Sequence, residues 1–372
     1  MKLGKLSTLI PLDEIEAGAL KQIWKTLSYP FVTNLAVMPD VHQGYGLPIG
    51  GVARTQGVIC PGWVGYDIGC GMVFWATDIP VDKDFMSRRV EILAAIEATI
   101  PLGVGVGRKK PQEYADFPKS IGNRTYNRIV NDKLKSQLGS LGGGNHFIDL
   151  VRTGDGMVGI VIHSGSRKAG YAICDHYDKL AADVDKDLPK GFLHVDSAMG
   201  WAYRHDMDFA LQYAYDNRKR ILQDVCEILG TRMPKDGEFL NEHHNYAFIN
   251  DDTAEVTHRK GATPAEEGKL GIIPISSGFN GGVYLTKGLG NETYLSSASH
   301  GAGRRLGRGD AMRKLDIEAW KRLTKGVVMN HDPKNLDESP EAYKDGKTVI
   351  GYQEGVVVEV IDHMRPLLVA IG

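Results

Sequence analysis

A mixed fold of β-strands and α-helices, with loops shaped around ligands, is what this sequence predicts, and three observations predict it. Short apolar runs such as Val58-Ile59-Cys60, Met72-Val73-Phe74-Trp75 and Val158-Gly159-Ile160-Val161-Ile162 read as buried strands. Amphipathic stretches over 12–28, 83–100 and 196–229 read as helices. Glycine supplies 45 of the 372 residues, roughly 12 % against an average near 7 %. It gathers around 44–71, 101–107, 139–144, 278–290 and 301–309, in each case beside histidines, cysteines or arginines.

Composition bounds the function. A hydrophobic content of 42 % with 24 % charged residues is that of an ordinary soluble globular chain. The net charge of −2 provides no global field for nucleic acid, so a polyanionic partner needs a local basic patch. Four cysteines without framework spacing, and the lack of a signal peptide or long apolar run, point to a cytoplasmic protein with no membrane association. Twelve histidines direct attention to metal or acid–base chemistry.

The segment Gly65-Tyr66-Asp67-Ile68-Gly69-Cys70-Gly71 reads as a tight loop between two buried strands. Asp67 and Cys70 on such a loop can face one ion, and a thiolate favours Zn²⁺, Mn²⁺ or Fe²⁺ over Mg²⁺ or Ca²⁺. The alternative is a core cysteine beside an aspartate that caps its own turn.

The other segments follow in order. Residues 12–28 read as a helix capped near Asp13, and Val37–Gly46 as a strand end that delivers Asp40 and His42 to a glycine loop. These two are either metal ligands or a structural Asp–His pair. The helix over 83–100 turns Val90, Leu93, Ala94 and Ile96 or Ile100 inward, and 103–125 is a basic loop. Gly142-Gly143-Gly144-Asn145-His146 leads straight into an apolar strand, so the backbone there can pass close to a ligand that Asn145 and His146 touch. The strand 158–162 ends in His163-Ser164-Gly165-Ser166-Arg167 before a helix, the geometry that exposes catalytic groups at the carboxyl end of a sheet. Arg167 there suits a phosphate. Within the long helix 196–229 the pair Asn217-Arg218 reads as exposed and free to face a cleft. His243 and His244 are adjacent on a strand, so one of them at most joins a given site. His258–Thr263 reads as a basic turn, and Ile272–Gly278 as a strand entering a Ser/Gly loop. His300-Gly301-Ala302-Gly303-Arg304-Arg305 offers backbone N–H groups and arginines to an anion. Residues 311–325 read as helix, 326–348 as irregular, and 349–370 as a strand with a closing helix or strand.

Asp67, Cys70, His146, His163 and one of His243 and His244 all fall at strand ends or glycine loops. They form a donor set adequate for two divalent ions sharing a thiolate, an arrangement that serves phosphoryl and nucleotidyl transfer. His300 is then a further ligand or a nucleophile.

The motifs MPDVHQGYGLPIGG, GYDIGCGM, LGGGNHF, HSGSR, HHNY, HRKGAT and SHGAGR, in this order, resemble those of the RtcB family of RNA ligases over about residues 30–310. The resemblance implies an α+β fold of the family's own type, with residues 1–372 as one domain of stacked sheets flanked by helices around a deep metal cleft. It implies a monomeric ligase that uses GTP and two Mn²⁺ ions to join an RNA 3′-phosphate or 2′,3′-cyclic phosphate to a 5′-hydroxyl, in RNA repair or tRNA splicing. By the same resemblance Asp67, Cys70, His146, His163 and His244 are the manganese ligands, with Cys70 shared, and His300 is the nucleophile that takes GMP. Asn145, Asp149, His244, Asn245, Pro274, Ser276, Gly301, Ala302 and Gly303 fall on guanylate-holding motifs. Arg167 and Arg304 suit phosphates, and Asp40 and His42 fall on a further motif near the site. The chain departs from the family at a longer loop over 275–283, and at Ile371-Gly372 in place of a Lys-Gly whose lysine helps to read guanine. Two other classes stay open: a metal-dependent phosphoesterase acting on cyclic phosphate ends, and a non-catalytic RNA-end-binding protein.

Overall fold

The structure, a computed structural model, describes residues 2–112, 134–181, 187–275 and 281–372. Among these residues two larger sheets organise the chain. The eight-stranded one runs in the order Leu240–His243, Gly71–Pro80, Met157–Ser164, Phe147–Arg152, Val358–Ile371, Val283–Gly288, Leu270–Pro274, all antiparallel, with Val328–Met329 added in parallel to Val358–Ile371. The six-stranded one runs Lys2–Leu3, Leu6–Thr8, Val32–His42, Ile49–Gln56, Glu255–Lys260, Asn245–Asn250, with one parallel pairing between Leu6–Thr8 and Val32–His42. Mostly antiparallel sheets with separate helices agree with the expected α+β class.

The helix Ala198–Leu229 joins two cores. Ser197 caps it by accepting from Gly200 N, and Gly230 ends it in the left-handed conformation. Its first half packs Tyr203, Met207, Ala210 and Tyr213 against Ile173, Cys174 and Tyr177 of the helix Lys168–Leu180. Its second half packs Ile221, Leu222 and Val225 against Val73, Ile160 and Ile162 of the larger sheet. Each such buried side chain contributes about 1.5–3 kcal/mol.

Several expected boundaries shift. The first helix is Ala17–Leu27, preceded by a separate 3-10 turn at Leu12–Glu14, so Asp13 does not cap it. In the helix Lys83–Thr99 the inward residues are Phe85, Ile92, Leu93 and Ile96, whereas Val90 is 67 % exposed. The expected helix over 311–325 is two, Arg308–Lys314 and Ile317–Leu323, because Asp316 accepts from Ala319 N and starts a second one. The last segment is a helix, Gly346–Gly351, followed by the strand Val358–Ile371. No helix among the described residues is long and apolar enough to cross a membrane.

One crossing matters for the site. Leu240–His243 belongs to the eight-stranded sheet and Asn245–Asn250 to the six-stranded sheet, so His244 alone separates them. Its backbone N–H donates to Cys70 O at 2.8 Å and its carbonyl accepts from Ala262 N at 3.2 Å.

Candidate active site

Strand order brings the predicted donors together. Cys70 immediately precedes Gly71–Pro80, His146 immediately precedes Phe147–Arg152, and His163 lies one residue before the end of Met157–Ser164. These strands are neighbours, with His163 opposite both Met72 and Phe147. Cys70 Sγ lies 3.2 Å from His163 Nε2 and 3.4 Å from His146 Nε2. His163 Nε2 is 3.3 Å from His244 Nε2, and His146 Nε2 is 3.0 Å from Asp67 Oδ2. Two groups of possible metal donors result, Cys70/His163/His244 and Asp67/Cys70/His146, with Cys70 common to both. His243, the neighbour of His244, turns instead to Arg218 at 3.1 Å, as strand alternation requires.

The protonation pattern asks for a cation. His146 Nδ1 donates to Leu141 O at 3.0 Å and His163 Nδ1 to Asn145 O at 2.8 Å. Carbonyl oxygens only accept, so the neutral His163 ring carries its proton on Nδ1 and presents its Nε2 lone pair to the Cys70 sulfur and to His244 Nε2. A cation among these converging atoms would be ligated by nitrogen, sulfur and oxygen at once. Burial pushes His163 and His244 well below the ordinary imidazole range, which favours the neutral, ligating form. Burial, followed by the charge of Asp67, pushes the Cys70 thiol well up, so a divalent ion would have to displace its proton. Burial would raise Asp67 too, but the hydrogen bond and charge of His146 outweigh it and hold the carboxylate at about 2. Thiol, imidazole and carboxylate together fit a borderline divalent metal.

Beside this cluster lies His300, just past the short strand Ser297–Ser299. Its ring stands 4.8 Å from that of His244 at 62°. Asp40 Oδ2 accepts from His300 Nδ1 at 2.7 Å and from its backbone N–H at 3.1 Å, so in the neutral ring the proton sits on Nδ1 and Nε2 is the free nitrogen. This corrects the expected pairing of Asp40 with His42, whose Nδ1 donates only to the Asp40 carbonyl at 2.8 Å. Gly303 enables the approach: its φ is +76°, and a Cβ there would meet Asp40 O at 2.0 Å. A pocket of about 740 Å³ opens here, bordered by His42, Asn145, His163, Pro274, His300, Gly301 to Gly303 and Arg308.

Other expected site residues behave differently. Arg304 is held among Tyr343 and the acidic Asp337 and Glu338, at 3.3 Å from Glu338, because its guanidinium is drawn to the nearest buried carboxylates. It is held by these partners rather than standing free. Asn245 spends its amide on backbone, donating to Asp67 O at 3.1 Å and accepting from Gly261 N at 2.7 Å. Asp149 is fully buried, has no hydrogen-bond partner among the described residues, does not border the pocket and is pushed well up by burial. Ser276 lies outside the described residues. Arg167 sits at φ +57°, uncommon for a non-glycine residue, with its guanidinium packed over Gly142, where a Cβ would meet Nη1 at 2.1 Å. The basic segment 258–260 is a buried strand end: Lys260 donates to Tyr45 O and to Gly62 O, and Arg259 to Ser297 Oγ.

Asn217 and Arg218 are not exposed but fully buried. Asn217 accepts from Gly139 N and donates to Ser140 O and Gly165 O, while Arg218 donates to Gly69 O at 2.7 Å, Ser164 O at 2.9 Å and Asn241 Oδ1 at 2.7 Å. The pair ties down the backbone beside Cys70 and His163 together with the turn at Gly139 and Ser140. Both stand three or four residues from Ala214 and Ile221 on the buried stripe of the helix, and that spacing was the available signal.

The whole chain also compares with known proteins. A family model described as tRNA-splicing ligase RtcB matches residues 22–127 and 112–372. "RNA-splicing ligase RtcB" of Escherichia coli K12 is 34 % identical, covering 96 % of this chain and 95 % of that protein. "RNA-splicing ligase RtcB2" of another Escherichia coli strain is 31 % identical over 95 % and 92 %, and "tRNA-splicing ligase RtcB" of Archaeoglobus fulgidus is 27 % identical over 96 % and 92 %. Motif order, donor convergence and near full-length similarity agree, and the chain belongs to the RtcB family.

Proposed function

We propose that the protein is an RNA ligase that joins an RNA 3′-phosphate, or 2′,3′-cyclic phosphate, to a 5′-hydroxyl at the expense of GTP. The names of its relatives support the reaction class. For this chain, the reading is carried by one arrangement: two donor groups share Cys70 beside a histidine whose Nδ1 is held by a buried aspartate.

Asp67, Cys70 and His146 would hold one Mn²⁺ ion, and Cys70, His163 and His244 the other. Ions so bound would supply positive charge to phosphate oxygens and to the leaving group. Asp40 holds the His300 Nδ1 proton, so Nε2 keeps its lone pair. That lone pair attacks the α-phosphorus of GTP, and an N–P bond forms as pyrophosphate leaves. His300 then releases GMP to the RNA 3′-phosphate, and a 5′-hydroxyl oxygen displaces GMP from the activated end. Asn145, Pro274 and Gly301 to Gly303 border the pocket in which the nucleotide would sit.

The test is incubation with α-labelled GTP and Mn²⁺, followed by assays for protein-bound GMP and for joined RNA. Wild type is expected to carry the adduct and His300→Ala to lack it. Opening of cyclic phosphate ends without an adduct would identify a phosphoesterase instead. RNA binding without either reaction would identify an end-binding protein.

A further inference from the structure

At the far end of the strand that begins beside His146, Arg152 pairs directly with Arg365 of Val358–Ile371. Like charges opposed across antiparallel strands are destabilising. Neither guanidinium has a carboxylate partner among the described residues, although both border one pocket of about 550 Å³ together with Lys325 and His363. The nearby carboxylates are engaged elsewhere: Asp362 accepts from Gly154 N at 2.8 Å, and Asp155 from Thr153 Oγ1 at 2.5 Å. The walls are fixed, since Arg89 donates to Gly326 O at 2.9 Å and to Leu367 O at 3.1 Å. A break in strand register between Pro366 and Leu368 adjoins Arg365, and such irregularities re-aim side chains. Three permanent cations and a histidine thus surround a concavity in a chain whose net charge is −2.

We propose that this pocket binds backbone phosphates of the RNA at a distance from the ends being joined. The inference rests on the ligase reading above. An anion between Arg152 and Arg365 turns their mutual repulsion into shared attraction. The six residues of Phe147–Arg152 cover about 17 Å at roughly 3.3 Å each, a span of about five steps of a helical nucleic acid strand at about 3.4 Å. The pocket therefore engages long RNA and is out of reach of a very short oligonucleotide seated at the metal cluster.

The test compares wild type with the double variant Arg152→Gln/Arg365→Gln, which leaves the metal donors and His300 untouched. Fluorescent 5′-hydroxyl RNAs of about 2 and about 20 nucleotides are titrated at several salt concentrations, with inorganic tripolyphosphate as a separate probe. For the longer RNA, the variant is expected to bind about tenfold more weakly, with a salt slope shallower by about 1.4, the loss of two single-strand phosphate contacts. Binding of the short RNA should be unchanged, and the melting temperature should not fall, since the substitutions remove the opposed charges. An unchanged salt slope for the long RNA overturns the inference. So does tripolyphosphate binding that is lost in the variant while RNA binding is not, which would assign the pocket to a free phosphoanion. Wild type that binds neither RNA would defeat the ligase reading itself, a different result from either.

Discussion

His300 Nδ1 donates to Asp40 Oδ2 across 2.7 Å, between residues 260 positions apart in the chain. Asp40 is fully buried and also receives the His300 backbone N–H. The bond fixes both the rotation and the tautomer of the ring. Asp40→Asn is therefore expected to slow formation of the GMP adduct by about 10²-fold or more, as loss of an orienting group does in general acid–base sites. Metal content should stay at the wild-type level. An unchanged adduct rate, measured with labelled GTP, would show that the nucleophile needs no orientation from Asp40.

Sharing of Cys70 predicts an asymmetry between ligand variants. Cys70→Ala removes a donor from both groups, whereas His146→Ala touches only Asp67/Cys70/His146. Metal analysis after Mn²⁺ loading and gel filtration should find both ions depleted in the first variant and one retained in the second. Equal depletion in the two would mean that the donors act as a single site.

Arg218 should be worth more than its distance from the chemistry suggests. Its guanidinium serves Gly69 O, Ser164 O and Asn241 from a fully buried position. Arg218→Met leaves those acceptors unpaired, at about 3 kcal/mol of stability by urea unfolding. Arg218→Lys should not restore it, because one ammonium cannot reproduce the fork. Weaker Mn²⁺ binding should accompany the loss, and a variant with normal metal affinity would confine Arg218 to stability.

Acid should destabilise the fold through His258. Burial lowers it to about 4, the backbone N–H of Cys60 donates to its Nε2, and its Nδ1 donates to Ala53 O. Its folded-state value lies below the ordinary 6.5, so the unfolded chain binds more protons between those limits, and stability rises with pH there. The contribution is complete above about pH 6.5 and is lost as pH falls towards about 4, some 3 kcal/mol in all. Urea midpoints at pH 7 and pH 4.5 measure the loss, which His258→Gln should reduce. His42 and His243, lowered by burial to about 4 and about 3, add to the loss.

Nucleotide choice follows from Ile371, which pairs with the pocket-bordering Phe147 and carries no charge to read a base. Absence of one charged hydrogen bond to guanine, about 1.5–3 kcal/mol, should narrow the preference for GTP over ATP by about ten- to a hundredfold relative to family members with lysine there. Competition between labelled GTP and unlabelled ATP in adduct formation measures it. Strict GTP dependence would place the discrimination elsewhere.

The candidate metal donors were legible in the sequence because each sits at a strand end or on a glycine loop, a local signal. What it hid was tertiary. Asp40 appeared beside His42 because they are two residues apart, yet its carboxylate serves His300, 260 positions later and just past Ser297–Ser299. Asn217 and Arg218 looked solvent-facing because helical periodicity assigns polar residues outward, and nothing local shows that three loop backbones would need their hydrogen bonds. Arg304 looked free for phosphate because its carboxylate neighbours, Asp337 and Glu338, lie more than a turn of sequence away. Val90 failed for a simpler reason: its helix packs on one narrow stripe that Phe85, Ile92, Leu93 and Ile96 already fill.

The single-residue crossing at His244 makes that histidine a seam as well as a donor. On one side of it the chain is committed to the sheet that carries Cys70 and His163, and on the other to the sheet that carries Asp40. An ion gripped by Cys70, His163 and His244 would rivet the two layers where the polypeptide passes between them. Metal loading would then act as an assembly checkpoint: a chain whose layers have not docked cannot close that donor group. Chelation should correspondingly loosen the seam first, raising amide exchange around 240–250 before the interiors of either sheet respond.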